Sequence, residues 1–286
     1  MSNSNSIGKY YNDFAGKNTA ANIAKDAYGN ISGSQYDLAK DGAFAGKTVA
    51  ILNLHKSTLD FSCAIKSIEE KGFSIIYWHG KLPSHVDFKL TLSTASQLWV
   101  ISAYKQRRLN RKYLKTIIDF FNEGRGLFLW GENKPIYYDT NYIAKNLFGV
   151  TMSGDTPGRQ KVTLQKEGIT NKPESRISVI ERFKRKFFVY HDASKAGIVR
   201  NHPITTGLEV LYEGATIATI TENQVLTPIM YGSAGNLVTA CYDKDGKRAI
   251  IDGGFTRLDK DFWDTAGTAR FVKNAAAWLA NVEIEN

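Results

Sequence analysis

The sequence predicts a doubly wound α/β protein with a mostly parallel sheet, helices on both faces and an extended N-terminal arm. Apolar, β-branched runs alternate with amphipathic helical patterns from residue 47 to residue 149. This alternation is typical of βαβ units with right-handed crossovers. The 286-residue chain is 43% hydrophobic and 23% charged, a composition that suits a folded protein with a large core.

The elements of the first half follow in chain order. Four apolar runs are predicted strands: residues 47–54, 73–78, 97–103 and 126–131. Helical patterns lie between and after them: STLDFSCAIKSIEEKG, the stretch around DFKLTLSTAS, RKYLKTIIDFFNEGR and DTNYIAKNLFG. Gly72, Gly124 and Gly149 suit helix stops, and Asp139 or Thr140 suits the N-cap of the fourth helix. Together these elements predict a flavodoxin-like plan.

The second half has longer polar loops and shorter strand patterns. The strand-like pieces are KVTLQ, ISVI, FFVYH, ATIATI, VLTPIMYG, NLVTACYD and KRAIIDGG. The closing stretch DTAGTARFVKNAAAWLAN predicts a helix that buries Phe271, Val272, Ala275 and Leu279. We expect residues 46–286 to form one α/β domain with a basic insert at about 155–200.

Residues 1–45 read as an extended polar arm with little periodic apolar pattern. The aromatic residues of the arm include Tyr10, Tyr11, Phe14, Tyr28 and Tyr36. A floppy tail is one interpretation, and a segment that orders against its own domain or a neighbouring subunit is the other. We favour a neighbour, and therefore expect protein partners or self-assembly through the arm.

The formal net charge of +9 is concentrated in two places. Residues 105–112 hold five basic residues and no acid, and residues 159–186 hold nine basic residues against three acids. An acidic partner, nucleic acid or plain solvation each suits such runs. The candidate partner-binding residues are Lys105, Arg107, Arg108, Arg111, Lys184, Arg185 and Lys186.

The two cysteines, Cys63 and Cys241, lie far apart in apolar segments without metal-type spacing. Buried free thiols are expected rather than a disulfide or metal ligands. No metal and no cofactor is predicted. No apolar stretch approaches the roughly 18 residues of a membrane span, and the N-terminus lacks the apolar core of a secretion signal, so a cytoplasmic location is expected.

The order of features resembles the N-terminal GIFT domain of intraflagellar-transport proteins and gliding-motility ABC-transporter components. The matching features are the strand 98–103, the helix ending at Gly124 and Gly126, Gly131-Glu132 after the next strand, Asp139-Thr140-Asn141 opening a helix, and then EGATIATI, VLTPIMYGSAGNLVTACY and GKRAIIDGGF. HPITTG (202–207) is similar to a phrase in ThuA-like proteins. All these families belong to the class I glutamine-amidotransferase-like superfamily, and the resemblance covers roughly residues 47–280.

The resemblance also indicates where an amidotransferase would carry its nucleophile. In the catalytic members a cysteine in a strained turn follows the fourth strand, and a histidine followed two residues later by a glutamate lies late in the chain. Here Gly131-Glu132-Asn133 occupies the strand end, and the last histidine is His202. Thioester chemistry is therefore not expected. The sequence favours a non-catalytic domain that acts in protein assembly or scaffolding.

The strand-end residues leave two interpretations open. Glu132, Asn133 and Asp252 suit a small polar, sugar-like ligand or general-base chemistry, but also a simple turn before Pro135. The candidate ligand-binding residues are Gly131, Glu132, Asn133, Asp252, Gly253, Gly254, Asp264 and Thr265, of which Asp264 and Thr265 also suit a helix N-cap. No catalytic residue is assigned. The alternative functions are a carboxylate-based hydrolase or carbohydrate-modifying enzyme, and nucleic-acid binding through the basic runs.

Overall fold

A computed structural model of the chain describes residues 23–56, 58–103, 106–159, 161–163 and 193–281. The strands are β1 Thr48–Asn53, β2 Ser74–His79, β3 Gln97–Ile101, β4 Gly126–Trp130, β5 Met152–Pro157, β6 Lys161–Thr163, β7 Val210–Tyr212, β8 Thr216–Ile220, β9 Thr227–Tyr231, β10 Leu237–Lys244 and β11 Lys247–Asp252. The α-helices are α1 Ser62–Glu70, α2 His85–Thr94, α3 Arg111–Asn122, α4 Tyr138–Phe148, α5 Lys260–Trp263 and α6 Thr268–Leu279.

Seven strands form the central sheet in the order β2-β1-β3-β4-β11-β10-β9. The first five are parallel, β10 runs antiparallel to β11, and the edge strand β9 runs antiparallel to β10. Two small antiparallel pairs, β5 with β8 and β6 with β7, lie outside this sheet. The predicted mostly parallel, flavodoxin-like α/β fold is confirmed.

Both faces of the sheet are buried under helices. Trp99, Phe128 and Trp130 pack in one apolar cluster with α1 and α6, while Leu98 and Leu127 pack in the other with α2, α3 and α4. The aromatic rings on the first face are in contact: Phe128 stacks on Trp130 at 4.1 Å, and the centroids of Trp99 and Trp130 lie 6.3 Å apart. The β4 residues alternate between the two faces, as the period of a strand requires.

The described part of the predicted arm packs against its own domain. The backbone N–H of Leu38 donates to Asn274 Oδ1 at 2.8 Å. The buried carboxylate of Asp37 forms ion pairs with Arg270 at 2.8 Å and with the fully buried Lys71 at 2.9 Å. Residues 1–22 lie outside the described residues, so the prediction of an arm that orders on a neighbouring subunit now concerns that segment.

The basic insert lies mostly outside the described residues, and so do the strand predictions for ISVI and FFVYH. Only the start of KVTLQ is described, as β6. Within the described ranges, no helix combines the length and the apolar character that crossing a bilayer requires.

Candidate functional site

The parallel topology brings Glu132 and Asp252 to one edge of the sheet. Asp252, the last residue of β11, is in register with Trp130, the last residue of β4. The next residue, Gly131, donates its N–H to the Asp252 carbonyl at 2.8 Å. Candidate residues that are 120 positions apart in the sequence are therefore neighbours at the carboxyl ends of two adjacent strands.

Glu132 is 1% exposed and lies beneath the loop that follows β11. Its Oε2 accepts the backbone N–H of Thr256 at 2.9 Å, while its Oε1 has no hydrogen-bond partner among the described residues. Burial raises the pKa of this carboxyl group to about 8, against smaller opposing effects of hydrogen bonds. The side chain is therefore mostly a neutral carboxylic acid at neutral pH.

The backbone after Glu132 forms a closed turn. Glu132 N–H donates to the carbonyl of Ile136, and Ile136 N–H donates to the carbonyl of Asn133, both at 2.8 Å. The Lys134-Pro135 peptide bond is cis. The Thr216 hydroxyl donates to Asn133 Oδ1 at 3.0 Å. The turn before Pro135 is thus present, with the Asn133 side chain used inside the protein.

Asp252 is fully buried in a hydrogen-bonded network with Arg257. It accepts from the Thr239 hydroxyl at 2.5 Å, from Gly254 N–H at 2.8 Å and from Arg257 Nη2 at 3.2 Å. Burial raises the pKa of Asp252, and the Arg257 charge opposes that rise. The sequence analysis missed Arg257, because a single arginine in a loop carries no pattern that separates it from a solvated one.

Two further groups complete this buried polar cluster. Arg257 is 0% exposed and also donates to the Glu213 carbonyl, while its Nη1 has no hydrogen-bond partner in the described part of the chain. The carboxylate of Glu213, also 0% exposed, accepts from the N–H and the hydroxyl of Ser233. Three carboxyl groups, from Glu132, Glu213 and Asp252, are therefore buried in this region, and the one from Asp252 forms an ion pair with the Arg257 guanidinium.

The glycines of the candidate site are required by close approaches within the protein. A Cβ on Gly253 would lie 2.3 Å from the Ala218 carbonyl oxygen, and one on Gly254 would lie 2.3 Å from the Glu213 carbonyl oxygen. A Cβ on Gly131 would lie 2.4 Å from Met152 Sδ. The backbone and side-chain atoms that approach these three glycines so closely therefore belong to the same chain.

Asp264 and Thr265 do not cap the last helix, so that prediction is wrong. Helix α6 begins at Thr268, and its N-cap is Gly267, with φ 61° and no side-chain cap bond. Asp264 instead ends the short helix α5 and lines a groove of about 460 Å³ beside Tyr28. The loop at Gly267 passes close to Val210 O, which leaves no room for a capping side chain.

Asp139 does not cap α4 either, because its carboxylate has other partners. The N-cap is Tyr137, and no side chain caps the helix. Asp139 is 0% exposed and accepts backbone N–H groups from Ala103 at 3.1 Å, Arg108 at 2.7 Å and Leu109 at 2.8 Å. This buried carboxylate therefore fixes the loop that follows β3.

The described basic residues have different surroundings. The Arg107 guanidinium lies 4.0 Å from the Tyr142 ring centroid. Arg108 is half-buried and bonded to backbone carbonyls, whereas Arg111 is exposed at the start of α3. The remaining candidates lie outside the described residues: Lys105, Lys184, Arg185 and Lys186.

One cysteine contacts a histidine, away from the expected nucleophile position. Cys241, buried in β10, has its Sγ 3.6 Å from His202 Nε2. Burial raises the pKa of this thiol to about 12 and lowers the pKa of His202 to about 4. Both shifts disfavour a thiolate–imidazolium pair. The prediction of buried thiols holds for Cys241, but Cys63 is only half-buried.

The fold and the site together define a doubly wound α/β protein in which a buried glutamate, Glu132, follows the carboxyl end of the central strand β4. No protein-family model matches the sequence, and no curated protein matches it.

Solved structures supply the likeness. The N-terminal domain of mmIFT52 is similar, with a TM-score of 0.56 and 11% identity, covering 82% of this chain and 97% of that one. Cytoplasmic Protein STM1381 from Salmonella typhimurium LT2 is similar with a TM-score of 0.51 and 10% identity, and the match covers 82% of this chain and 99% of that one. For a ThuA-like protein from Parabacteroides merdae ATCC 43184 the TM-score is 0.45 and the identity 12%, and the match covers 85% of this chain and 92% of that one. At these identities the likeness shows the fold alone, and the predicted GIFT-type fold is confirmed.

Proposed function

We propose that this protein is a non-catalytic amidotransferase-like domain that acts in protein assembly. One observation carries the proposal: the strand end where an amidotransferase has its nucleophile holds Glu132, which is 1% exposed. Thr256 and the backbone of residues 213–218 cover it, through contacts with Glu132 and Gly254. A carboxyl group so enclosed is poorly placed to meet a substrate.

The chemistry of the other reactive groups supports the same proposal. Cys241 and His202 are neutral at physiological pH, since their pKa values are about 12 and about 4. An acyl-transfer nucleophile needs the opposite, a lowered thiol pKa beside a basic partner. A role that rests on surfaces instead of an active site is consistent with these groups.

Assembly through the N-terminal segment is the specific form of the proposal. Residues 1–22 contain three aromatic side chains, Tyr10, Tyr11 and Phe14, and no periodic apolar pattern from which to build a core. Such a segment gains stability by covering a surface of another subunit or partner. The basic runs would add attraction to acidic partners, and a cytoplasmic location is part of the same proposal.

Removal of residues 1–22 tests this function. Full-length protein and the shortened chain are compared by multi-angle light scattering over a range of concentrations, with circular dichroism as the check on folding. The deletion ends at residue 22 because residues 23–45 pack on the domain. We expect the full-length protein to be oligomeric and the shortened chain to be a folded monomer.

A full-length variant with Tyr10, Tyr11 and Phe14 changed to serine is the matched control for chain length. It should dissociate as the deletion does. If the full-length protein is monomeric at high concentration, or if both variants keep its oligomer mass, the segment has no role in self-assembly. Binding to a different partner would then be the remaining form of the proposal.

One observation favours a second candidate, a carboxylate-based hydrolase. The pKa of Glu132, about 8, is the value that a general acid needs at neutral pH, and Asp252 lies at the neighbouring strand end. Hydrolysis of p-nitrophenyl glycosides and of p-nitrophenyl acetate tests it. Turnover that is lost in Glu132→Gln and kept in Glu69→Gln, an exposed control, would favour the enzyme over the assembly domain.

A further inference from the structure

The carboxyl ends of β1 and β3 form the topological switch point of the sheet. From β1 the chain crosses to β2 on one side, and it then returns to β3 on the other. The loops that leave adjacent strands in opposite directions create a crevice there, and open α/β sheets bind ligands in such crevices. This position is distinct from the covered ends of β4 and β11.

Arg108 is fixed across this crevice. Its backbone N–H is bound by the buried Asp139, and its Nη1 donates to the carbonyl of Gly80 at 2.8 Å and to that of Leu54 at 3.4 Å. Among the described residues, Nε and Nη2 of Arg108 have no acceptor. The guanidinium is thus held by the ends of β1 and β2 while two of its donor groups are left for another partner.

Two more basic side chains lie next to Gly80, whose carbonyl accepts from Arg108. Lys56 is exposed after β1, and its Cγ would lie 3.4 Å from a Cβ placed on Gly80. His79 is exposed as the last residue of β2, with its ring 5.8 Å from that of Tyr77. In the described part of the chain, neither Lys56 nor His79 has an ion-pair partner.

A neutral donor completes the set. The Tyr77 hydroxyl accepts a hydrogen bond from Asn53 Nδ2 at 2.9 Å, so its own proton is available to an acceptor in the crevice. The facing acid is Asp60, whose carboxylate accepts the backbone N–H of Ser62 and lies near Lys260. The local balance of charge is therefore positive.

We propose that Arg108, Lys56, His79 and the Tyr77 hydroxyl bind a phosphate group, free or as the monoester of a small molecule. A tetrahedral dianion accepts from several directions at once, and a guanidinium fork, an ammonium and a hydroxyl provide donors of that kind. The ring N–H of His79 adds a further donor.

The test is a titration of 15N-labelled full-length protein with inorganic phosphate, observed by NMR, with sodium chloride at matched ionic strength as the reference. We expect saturable shifts of the Arg108 Nε–H and of the amides of residues 79–81. Arg108→Gln and Lys56→Met should each weaken binding by tenfold or more. Arg111→Gln, which removes an exposed arginine of the same basic run, should leave binding unchanged.

Because Arg108 also bonds two carbonyls, Lys56→Met provides the test that does not depend on those bonds. Phenyl phosphate in place of inorganic phosphate distinguishes the two sources, since tighter binding of the ester indicates a phosphorylated small molecule. Absence of saturation at millimolar concentrations of both probes would overturn the proposal. So would equal weakening by Arg111→Gln, which would indicate general charge attraction.

Discussion

The Oε2 atom of Glu132 accepts the backbone N–H of Thr256 at 2.9 Å, which connects the end of β4 to the 3-10 turn Phe255–Leu258. The same side chain is buried, and within the described ranges its second oxygen has no hydrogen-bond partner, so the folded protein keeps a proton on it. The unfolded chain releases that proton above a pKa of 4.5, whereas the folded chain releases it at about 8. Folding is therefore linked to proton uptake at this residue.

The first prediction concerns the stability between about pH 4.5 and about pH 8. Since the folded-state pKa of Glu132 is raised, its contribution to the free energy of unfolding falls as pH rises from about 4.5 to about 8, by about 1.4 kcal/mol per pH unit, and is constant above. Glu132→Gln removes this dependence. Urea unfolding at several pH values should show that the free energy of unfolding of Glu132→Gln rises relative to that of the wild type as pH increases through that window. The exposed control Glu69→Gln should show the same pH dependence as the wild type. Parallel pH profiles for all three proteins would contradict this account.

The second prediction concerns acid. Nδ1 of His202 accepts the N–H of Ile204 at 3.2 Å, and the pKa of the ring is lowered to about 4 by burial and by the Arg248 charge. Protonation of the unfolded chain therefore costs stability as pH falls from about 6.5 to about 4. His202→Asn keeps an acceptor for Ile204 but does not titrate, so its thermal midpoint should fall less with acid. His79→Asn, an exposed control, should behave as the wild type does, and the idea fails if His202→Asn does too.

The third prediction concerns the cysteines. Cys241 should resist iodoacetamide in the native protein, because its pKa of about 12 leaves almost no thiolate, while the half-buried Cys63 should be modified first. Peptide mass spectrometry after a timed reaction measures both sites.

Ammonia release from glutamine should be undetectable. Release that Cys241→Ala or Cys63→Ala abolishes would refute the non-catalytic assignment.

The strands and helices of the first half could be predicted because their signals are local. Each apolar run is followed by a helical pattern, three of these patterns end at a glycine, and Gly149 does end α4 in a left-handed conformation, with φ 71°. The site could not be predicted in the same way. The Gly253-Gly254 pair was visible, but its neighbours, residues 213–218, lie about forty positions away along the chain.

Asp139 illustrates the same limit. An aspartate before a helical pattern is typical of an N-cap, and the sequence contains no sign of the three N–H groups that reach it from residues 103–109. Long-range hydrogen bonds of this kind depend on how the loops meet. The contact between Cys241 and His202 escaped prediction for the same reason.

The fourth prediction uses the close approach at Gly254. Its backbone φ of -139° is open to any residue, so Gly254→Ala acts through the clash of the new Cβ with the Glu213 carbonyl oxygen. We expect a loss of about 3 kcal/mol in the free energy of unfolding. Gly246→Ala, at φ 70° but facing open space, should cost about 1 kcal/mol. Chemical denaturation of both variants measures the difference, and equal losses would show that the covering segment moves aside readily.

The fifth prediction concerns the basic runs. Binding of an acidic partner or of DNA should weaken as salt rises, because exposed charges are screened over about 10 Å at 0.1 M ionic strength. Charge reversal at Arg107, Arg108, Lys184 and Arg185 should weaken it further. Fluorescence anisotropy with labelled DNA at several salt concentrations measures this. If the affinity is the same at low and high salt, or is unchanged in the charge-reversed variant, the basic runs do not contribute to binding.

The aromatic contact between β3 and β4 has an optical consequence. Trp99 and Trp130 are both buried, and their ring centroids lie 6.3 Å apart at 42°, close enough for the electronic transitions of the two indoles to couple. Coupled indoles rotate polarised light in the far ultraviolet, where helices and strands are measured. A Trp99→Phe variant should therefore change the far-ultraviolet circular dichroism spectrum without a change in helix content. The coupled signal of the two indoles reports whether β3 and β4 are packed together at the centre of the sheet.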